Sequence, residues 1–107
     1  MQTPTRLVTG GRFRSQACGT EVIVVRPGKR PVFLTCGGHP VVDIKMPAPD
    51  SLQPDAAFLD GTQLGKRYTH PEDDGLEILV TRAGAGTLCD DTTPLIVKAA
   101  KPLPASD

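Results

Sequence analysis

The sequence has no tryptophan, and its aromatic residues are one tyrosine and three phenylalanines. A core in this 107-residue chain must therefore be built from valine, isoleucine and leucine, which suits one small domain or two very small ones and argues against a multidomain enzyme. Eleven glycines and eleven prolines disfavour long helices. We therefore expect an all-β, turn-rich protein.

A net charge is also missing, because twelve Lys and Arg balance twelve Asp and Glu. Such a chain has no field that would attract nucleic acid or an anionic membrane. No stretch approaches the roughly 18 apolar residues of a membrane span, and the first residues lack the apolar run of a secretory signal. We expect a cytoplasmic protein that binds neither nucleic acid nor membrane.

An internal repeat organises the chain. The segment 21–26 (EVIVVR) returns as 77–82 (EILVTR), and three further blocks recur in the same order at offsets of about 53 to 56 residues. The three further pairs are 11–13 with 65–68, 34–36 with 87–89, and 40–42 with 94–96. We interpret the pattern as a tandem duplication; two unrelated valine-rich hairpins are the alternative.

Each copy has the pattern of a small antiparallel ribbon. The expected strands lie at about 20–26, 31–35 and 41–46 in the first copy, and at about 76–82, 86–89 and 95–98 in the second. Hairpin turns are expected at 27–30, where Pro and Gly favour a turn, and at 83–85. In the third strand Val42, Ile44 and Met46 alternate with polar residues, which predicts one buried face.

Proline-rich segments separate and follow the two copies. Residues 47–60 predict an extended linker, and residues 101–107 predict a flexible tail. The expected organisation is a first ribbon at 1–46, the linker at 47–60, a second ribbon at 61–100 and the tail.

Three cysteines, an odd number, argue against a disulfide framework and favour free thiols or metal ligation. Cys18 and Cys36 each precede a glycine and flank one predicted hairpin, so both thiols can meet at its open end. Glycine after a metal-bound thiolate lets backbone N–H groups turn towards the sulfur. Structural zinc takes four ligands, for which Cys18, Cys36 and His39 are three candidates.

The segments 15–22 and 34–41 resemble desulforedoxin and the amino-terminal domain of desulfoferrodoxin, rubredoxin-like ribbons with the pattern Cys-x-x-Cys-Gly, a hairpin, then Cys-Cys-Gly. Cys18 and Cys36 fall on two ligand positions of that pattern, whereas Ser15 and Thr35 occupy the other two. Only Cys89 remains in the second copy, with Asp73 or Asp74 near the place of Cys18. The family forms homodimers, so the resemblance implies two ribbons packed as a pseudo-dimer in one chain.

The resemblance does not decide whether metal is bound, since half of the cysteine ligands are lost. Two ligand sets for zinc or iron are open. One is Cys18, Cys36 and His39 with water or a ligand from a partner, and the other is two Cys18/Cys36 pairs brought together by dimerisation. The other interpretation has no metal, with Cys18 and Cys36 as buried small hydrophobes or a facultative disulfide.

Two functional hypotheses follow. The first is a small non-catalytic accessory or small-subunit protein that binds at most one zinc or iron and acts through a protein partner, with homo-oligomer formation left open. The alternative is a metal-dependent redox protein or enzyme that uses Cys18, Cys36 and His39 with an open coordination position.

The remaining reactive side chains have no activating partner at a fixed spacing. Cys89 precedes two aspartates, which should raise its thiol pKa and make it a poor nucleophile. His70 is interpreted as a surface-loop histidine. Residues 84–86 (GAG) join two predicted strands and lack a following helix, so we interpret them as a hairpin turn and not as a phosphate loop.

Overall fold

The computed structural model describes residues 3–47 and 52–98, and within them it contains ten β-strands, one 3₁₀ turn and no α-helix. The strands of the first half are β1 (Arg12–Arg14), β2 (Glu21–Pro27), β3 (Leu34–Cys36), β4 (His39–Pro40) and β5 (Val42–Asp43). Those of the second half are β6 (Arg67–His70), β7 (Asp73–Arg82), β8 (Leu88–Asp90), β9 (Thr93–Pro94) and β10 (Ile96–Val97). The all-β prediction is confirmed. No helix in the described ranges is long and apolar enough to cross a membrane.

The strands form two antiparallel sheets, and each sheet takes strands from both halves of the chain. The order is β10-β6-β7-β2-β1-β5 in the six-stranded sheet and β4-β3-β8-β9 in the four-stranded sheet. Exchanging β1–β5 for β6–β10 leaves both orders unchanged when they are read from the opposite edge. The central pairs, β2 with β7 and β3 with β8, therefore each join one strand of the first half to its counterpart in the second.

The hydrophobic core is mainly aliphatic, with Tyr68 as its one buried aromatic residue in the described chain, and it draws on both sheets. In β2 the alternate residues Val22 and Val24 are buried, and in β7 the core side is formed by Leu76, Ile78 and Val80. Leu34, Cys36 and Leu88 of the four-stranded sheet pack into the same cluster. Burying one such aliphatic side chain stabilises the folded protein by about 1.5–3 kcal/mol. The two repeated segments therefore contribute much of the stability of the fold, because both supply buried aliphatic residues.

The two predicted hairpin turns are wrong, because each connects one sheet to the other. β2 pairs with β1 and β7, whereas β3 pairs with β4 and β8. Residues 27–30 therefore carry the chain between sheets, with Gly28 at a positive φ of 72°. Residues 83–86 do the same between β7 and β8. The choice of partner is set by burial in the shared core and not by the intervening turn.

Other strand predictions are also corrected. The short strands β1 and β6 were not expected, although both lie in repeated blocks. The strand expected at 41–46 ends at Asp43, because the Asp43 carboxylate and carbonyl accept the backbone N–H groups of Lys45 (2.9 Å) and Met46 (2.8 Å) in a turn. Met46 is consequently exposed, so the predicted alternation extends only over the half-buried Val42 and Ile44, with Asp43 and Lys45 exposed.

Only part of the predicted linker and tail can be compared with the structure. Residues 48–51 and the predicted tail 101–107 lie outside the described residues. The described end of the predicted linker contains the 3₁₀ turn Ala56–Phe58 and is held to the turn after β3 by a hydrogen bond from the Asp55 N–H to the Gly37 carbonyl (2.8 Å).

Candidate functional site

The structure brings Cys18 and Cys36 into contact, with their sulfur atoms 3.7 Å apart. Cys18 lies in the loop between β1 and β2, and Cys36 ends β3 in the other sheet. Cys36 is fully buried, whereas Cys18 is partly exposed, and both are free thiols. We call this pair the dithiol. It joins the two sheets, so the prediction that the thiols meet is confirmed even though the hairpin expected between them does not form.

Ser15 holds the loop that carries Cys18 through its side-chain oxygen. Its buried hydroxyl oxygen accepts the backbone N–H groups of Ala17 (3.0 Å) and Cys18 (3.1 Å) and lies 3.4 Å from the Cys18 sulfur. Ser15 therefore fixes the conformation of the loop that presents the Cys18 sulfur.

Polar groups of its own loop and of residues 84–86 contact the Cys18 sulfur, and Thr62 is hydrogen-bonded to both segments. The Thr20 hydroxyl lies 3.2 Å from this sulfur and 2.8 Å from the Thr62 hydroxyl. The Gly86 N–H donates to the sulfur at 3.4 Å, and Thr62 also accepts the Gly84 N–H at 3.0 Å. Sequence reasoning missed Thr20 and Thr62, because they are 42 residues apart and no spacing pattern links them.

The segment Gly84–Gly86 covers the dithiol at very short range. A Cβ atom added at Gly84 would lie 2.9 Å from the Cys18 sulfur, and one added at Gly86 would lie 3.1 Å from the Cys36 sulfur and 2.7 Å from the Gly37 nitrogen. Only glycine permits this approach of backbone to sulfur. Residues 84–86, which were predicted to form a hairpin turn, therefore lie directly over the two thiols, and we call them the glycine cover.

Hydrogen bonding makes the two cysteines electrostatically unequal. The hydrogen bond with Cys36 lowers the pKa of the Cys18 thiol; burial opposes this effect, while the hydroxyls of Ser15 and Thr20 add to it. The same bond, together with burial, raises the pKa of Cys36. The pKa values of the two thiols therefore shift in opposite directions, downward for Cys18 and upward for Cys36.

The third predicted ligand, His39, makes contacts elsewhere. Its Nε2 lies 3.0 Å from the Gln53 carbonyl oxygen and 3.7 Å from an Asp55 carboxylate oxygen. Thr35, at another ligand position of the resembled pattern, donates its hydroxyl to the Asp91 carbonyl at 2.8 Å. Within residues 3–47 and 52–98, no three His, Cys, Asp or Glu side chains stand close enough to hold a metal ion. A complete four-ligand zinc or iron centre therefore does not fit this part of the chain.

Cys89 is separate from the dithiol and fully buried in β8. Burial raises the pKa of its thiol to about 11, and the nearby carboxylates of Asp60, Asp90 and Asp91 act in the same direction. The predicted direction is confirmed, with burial as the larger cause. Cys89 is therefore a core residue that also provides an internal control for experiments on the dithiol.

The prediction of a surface-loop histidine at position 70 is wrong, because His70 is only 3% exposed. Its Nε2 lies 2.9 Å from an Asp90 carboxylate oxygen, and its Nδ1 accepts the Glu72 N–H at 3.0 Å. The other Asp90 oxygen accepts the Phe33 N–H at 2.9 Å. His70 and Asp90 are twenty residues apart, so the local sequence gave no sign of this contact.

The His70–Asp90 contact and the dithiol occupy corresponding places in the two halves. Cys18 lies before β2 and contacts Cys36 at the end of β3, and His70 lies before β7 and contacts Asp90 at the end of β8. Asp73 accepts the N–H groups of Lys29 (2.7 Å) and Arg30 (3.0 Å), as Cys18 accepts that of Gly86. These N–H groups, that of Arg30 first, lower the pKa of the Asp73 carboxyl. Polar contacts in the second half thus stand where the first half has sulfur.

Comparisons of this chain with protein-family models, with curated proteins and with solved structures find no match. The function therefore has to be argued from the site itself. Its chemically distinctive feature is two thiols in contact, one partly exposed and surrounded by hydrogen-bond partners, and the other fully buried.

Proposed function

We propose that this chain is a small non-catalytic accessory protein, built from two degenerate desulforedoxin-like ribbons packed as a pseudo-dimer, that acts through a protein partner. The observation that carries the proposal is the contact between Cys18 and Cys36. Two thiols of the kind that bind zinc or iron are preassembled, and they make up half of a four-ligand site.

The duplication is supported by the arrangement of the strands. Both sheet orders are unchanged when each strand is exchanged for the one five places along the chain. It is further supported by the corresponding contacts of Cys18 and Asp73 with the backbone of residues 83–86 and 27–30, respectively. A fused pair of ribbons stabilises itself through its shared core, so each half can lose metal ligands without losing its fold.

The chain would hold at most one zinc or iron ion at the dithiol, with the missing ligands supplied from outside. The Gly86 N–H and the nearby hydroxyls favour a charged Cys18 thiolate, which is the form that binds metal. A second chain would reach the dithiol at Cys18, because Cys18 is the partly exposed member of the pair. The external ligands come from a second copy or from a different protein.

The exposed edge of the six-stranded sheet offers a place for such a protein to bind. β10 is the outermost strand on one side, and its residues Ile96 and Val97 are 49% and 43% exposed. An edge strand presents unpaired backbone groups to which another strand can add, and apolar side chains there favour that addition. This surface supports a protein–protein role.

Native mass spectrometry tests the proposal, because it reports metal content and association together. Wild type, Cys18→Ser and Cys89→Ala would be purified by tag, without chelator, and measured before and after one equivalent of Zn²⁺. We expect one zinc per wild-type assembly containing a second copy or a co-purified protein, no zinc on Cys18→Ser, and wild-type behaviour of Cys89→Ala. Circular dichroism establishes that each variant is folded.

Two results would overturn the proposal. One is a wild-type protein that stays a monomer, binds no zinc and retains no other protein. The other is a Cys18→Ser protein that binds zinc as the wild type does, since the dithiol would then not be the metal site.

A further inference from the structure

We propose that Cys18 and Cys36 are a thiol–disulfide exchange site, in which Cys18 attacks a low-molecular-weight disulfide such as oxidised glutathione and Cys36 then closes an internal disulfide. This inference goes beyond the accessory role, because it needs only the two sulfur atoms and neither a metal nor a partner protein.

The geometry already brings the two sulfurs together. They are 3.7 Å apart, and a disulfide bond is about 2 Å long, so rotations of the two side chains have little distance to close. The third cysteine does not compete, because Cys89 is fully buried and lies opposite Thr35, not opposite Cys36, in the β3–β8 pair. One disulfide is therefore strongly preferred over the other two pairings.

The unequal exposure of the pair sets the order of the reaction. Cys18 is partly exposed and is the thiol that a small disulfide in solution can reach. Cys36 has no exposed surface, and the glycine cover at 84–86 lies directly over both sulfurs. Attack by Cys36 is thus directed to the Cys18 sulfur beside it. Cys18 is the attacking thiol and Cys36 is the resolving thiol.

The exchange is balanced by the small disulfide. The Cys18 thiol loses its proton and its sulfur bonds to one sulfur of oxidised glutathione, whose S–S bond breaks and releases one glutathione thiolate. The Cys36 thiol then loses its proton and attacks the Cys18 sulfur, which releases the second glutathione thiolate. The two released thiolates take up the two protons. The protein dithiol is oxidised by two electrons and the glutathione disulfide is reduced by two.

Oxidation changes one half of the protein and leaves the other half alone. The new bond would tie the loop before β2 to the end of β3, and it would remove both candidate metal ligands at once. The corresponding link in the second half, between His70 and Asp90, contains no sulfur and does not respond to thiol oxidants. The fold thus contains a redox-sensitive link in its first half and an insensitive one in its second.

Alkylation and mass spectrometry test this proposal on the full chain. The protein would be equilibrated with reduced and oxidised glutathione at several ratios, quenched, unfolded, labelled with N-ethylmaleimide and weighed, and its peptides mapped. We expect three labels on the reduced protein. The oxidised protein should carry one label, on Cys89, together with a Cys18–Cys36 linked peptide.

Two variants test the order of attack. Cys36→Ser should stop at a glutathione adduct on Cys18, whereas Cys18→Ser should form no adduct while folded. Cys89→Ala should form the internal disulfide as wild type does. If a substitution unfolds the chain, the wild-type protein can be treated with a limiting amount of oxidised glutathione instead. Peptide mapping then shows which cysteine carries the first adduct.

The proposal is overturned if all three cysteines take label at every glutathione ratio, if the first adduct is on Cys36 or Cys89, or if Cys89 enters the disulfide. A zinc titration of the reduced protein is read separately. A protein that forms the disulfide but binds no zinc refutes only the metal proposal. A protein that binds zinc but forms no disulfide refutes only the exchange proposal.

Discussion

Oxidation of the dithiol should stabilise the folded protein by about 3 kcal/mol, because the new bond restricts the unfolded chain. Cys18 and Cys36 are 18 residues apart in sequence, and closing a loop of that size removes roughly 3 kcal/mol of conformational entropy from the unfolded state at 25 °C. The cost in the folded state is small, since the sulfurs are already in contact. What is lost are the weak hydrogen bonds of the Cys18 sulfur with Ser15 and Thr20.

The size of the domain turns that free energy into a measurable change in melting temperature. For a domain of about 60–100 residues, 1 kcal/mol corresponds to roughly 4–8 °C, so the oxidised protein should melt at least about 10 °C above the reduced protein. Thermal unfolding followed by circular dichroism, with and without a phosphine reductant, measures the difference.

A double variant, Cys18→Ala with Cys36→Ala, is the matched control. It should melt at the same temperature in both conditions, whereas Cys89→Ala should keep the full redox-dependent shift. A wild-type protein with the linked peptide present but no increase in melting temperature would refute the reasoning. So would an equal shift in the double variant, because the reductant would then act elsewhere.

Three further substitutions test other contacts of the structure. Asp90→Ala leaves the buried His70 Nε2 and the Phe33 N–H without their carboxylate partner and should cost about 2–4 kcal/mol in urea unfolding, and a cost near zero would contradict the proposed link. Glu77 is held by Lys98, whose hydrogen bond is the main cause of its lowered pKa. The contact stabilises the folded protein by about 1 kcal/mol at neutral pH, and this stabilisation is lost as the pH falls through the lowered pKa of Glu77. Wild type and Glu77→Gln should therefore differ in stability at pH 7 and have the same stability at acid pH. An equal difference at both pH values would contradict this prediction. Gly84→Ala forces a Cβ against the dithiol, should cost about 1–3 kcal/mol and should slow disulfide formation, which an unchanged rate and stability would disprove.

The long central strands were predictable from sequence, but their partners were not. The apolar runs 21–26 and 77–82 are strong local signals, and both are strands in the structure. The Pro-Gly turn at 27–30 favoured local pairing of the strands on either side. In the structure the central strand β2 pairs instead with β7, more than fifty residues away, and in that register Val22 is buried in the core that the two sheets share. A local turn signal is compatible with either outcome.

The same distinction applies to the candidate site. The Cys-Gly pairs indicated that Cys18 and Cys36 meet, since two similar turns at this spacing suit one small ribbon. The hydroxyl of Thr62 and the cover at 84–86 come from the other half of the chain, and no short-range pattern marks them. His70 looked like an ordinary surface residue because its partner lies in another sheet.

The central claim is that Cys18 and Cys36 are a chemically active pair, and peptide mapping of the protein equilibrated with oxidised glutathione tests it most directly. The account predicts one linked peptide that joins Cys18 to Cys36, with Cys89 free and fully labelled. Three freely labelled cysteines, or a link that includes Cys89, would contradict it.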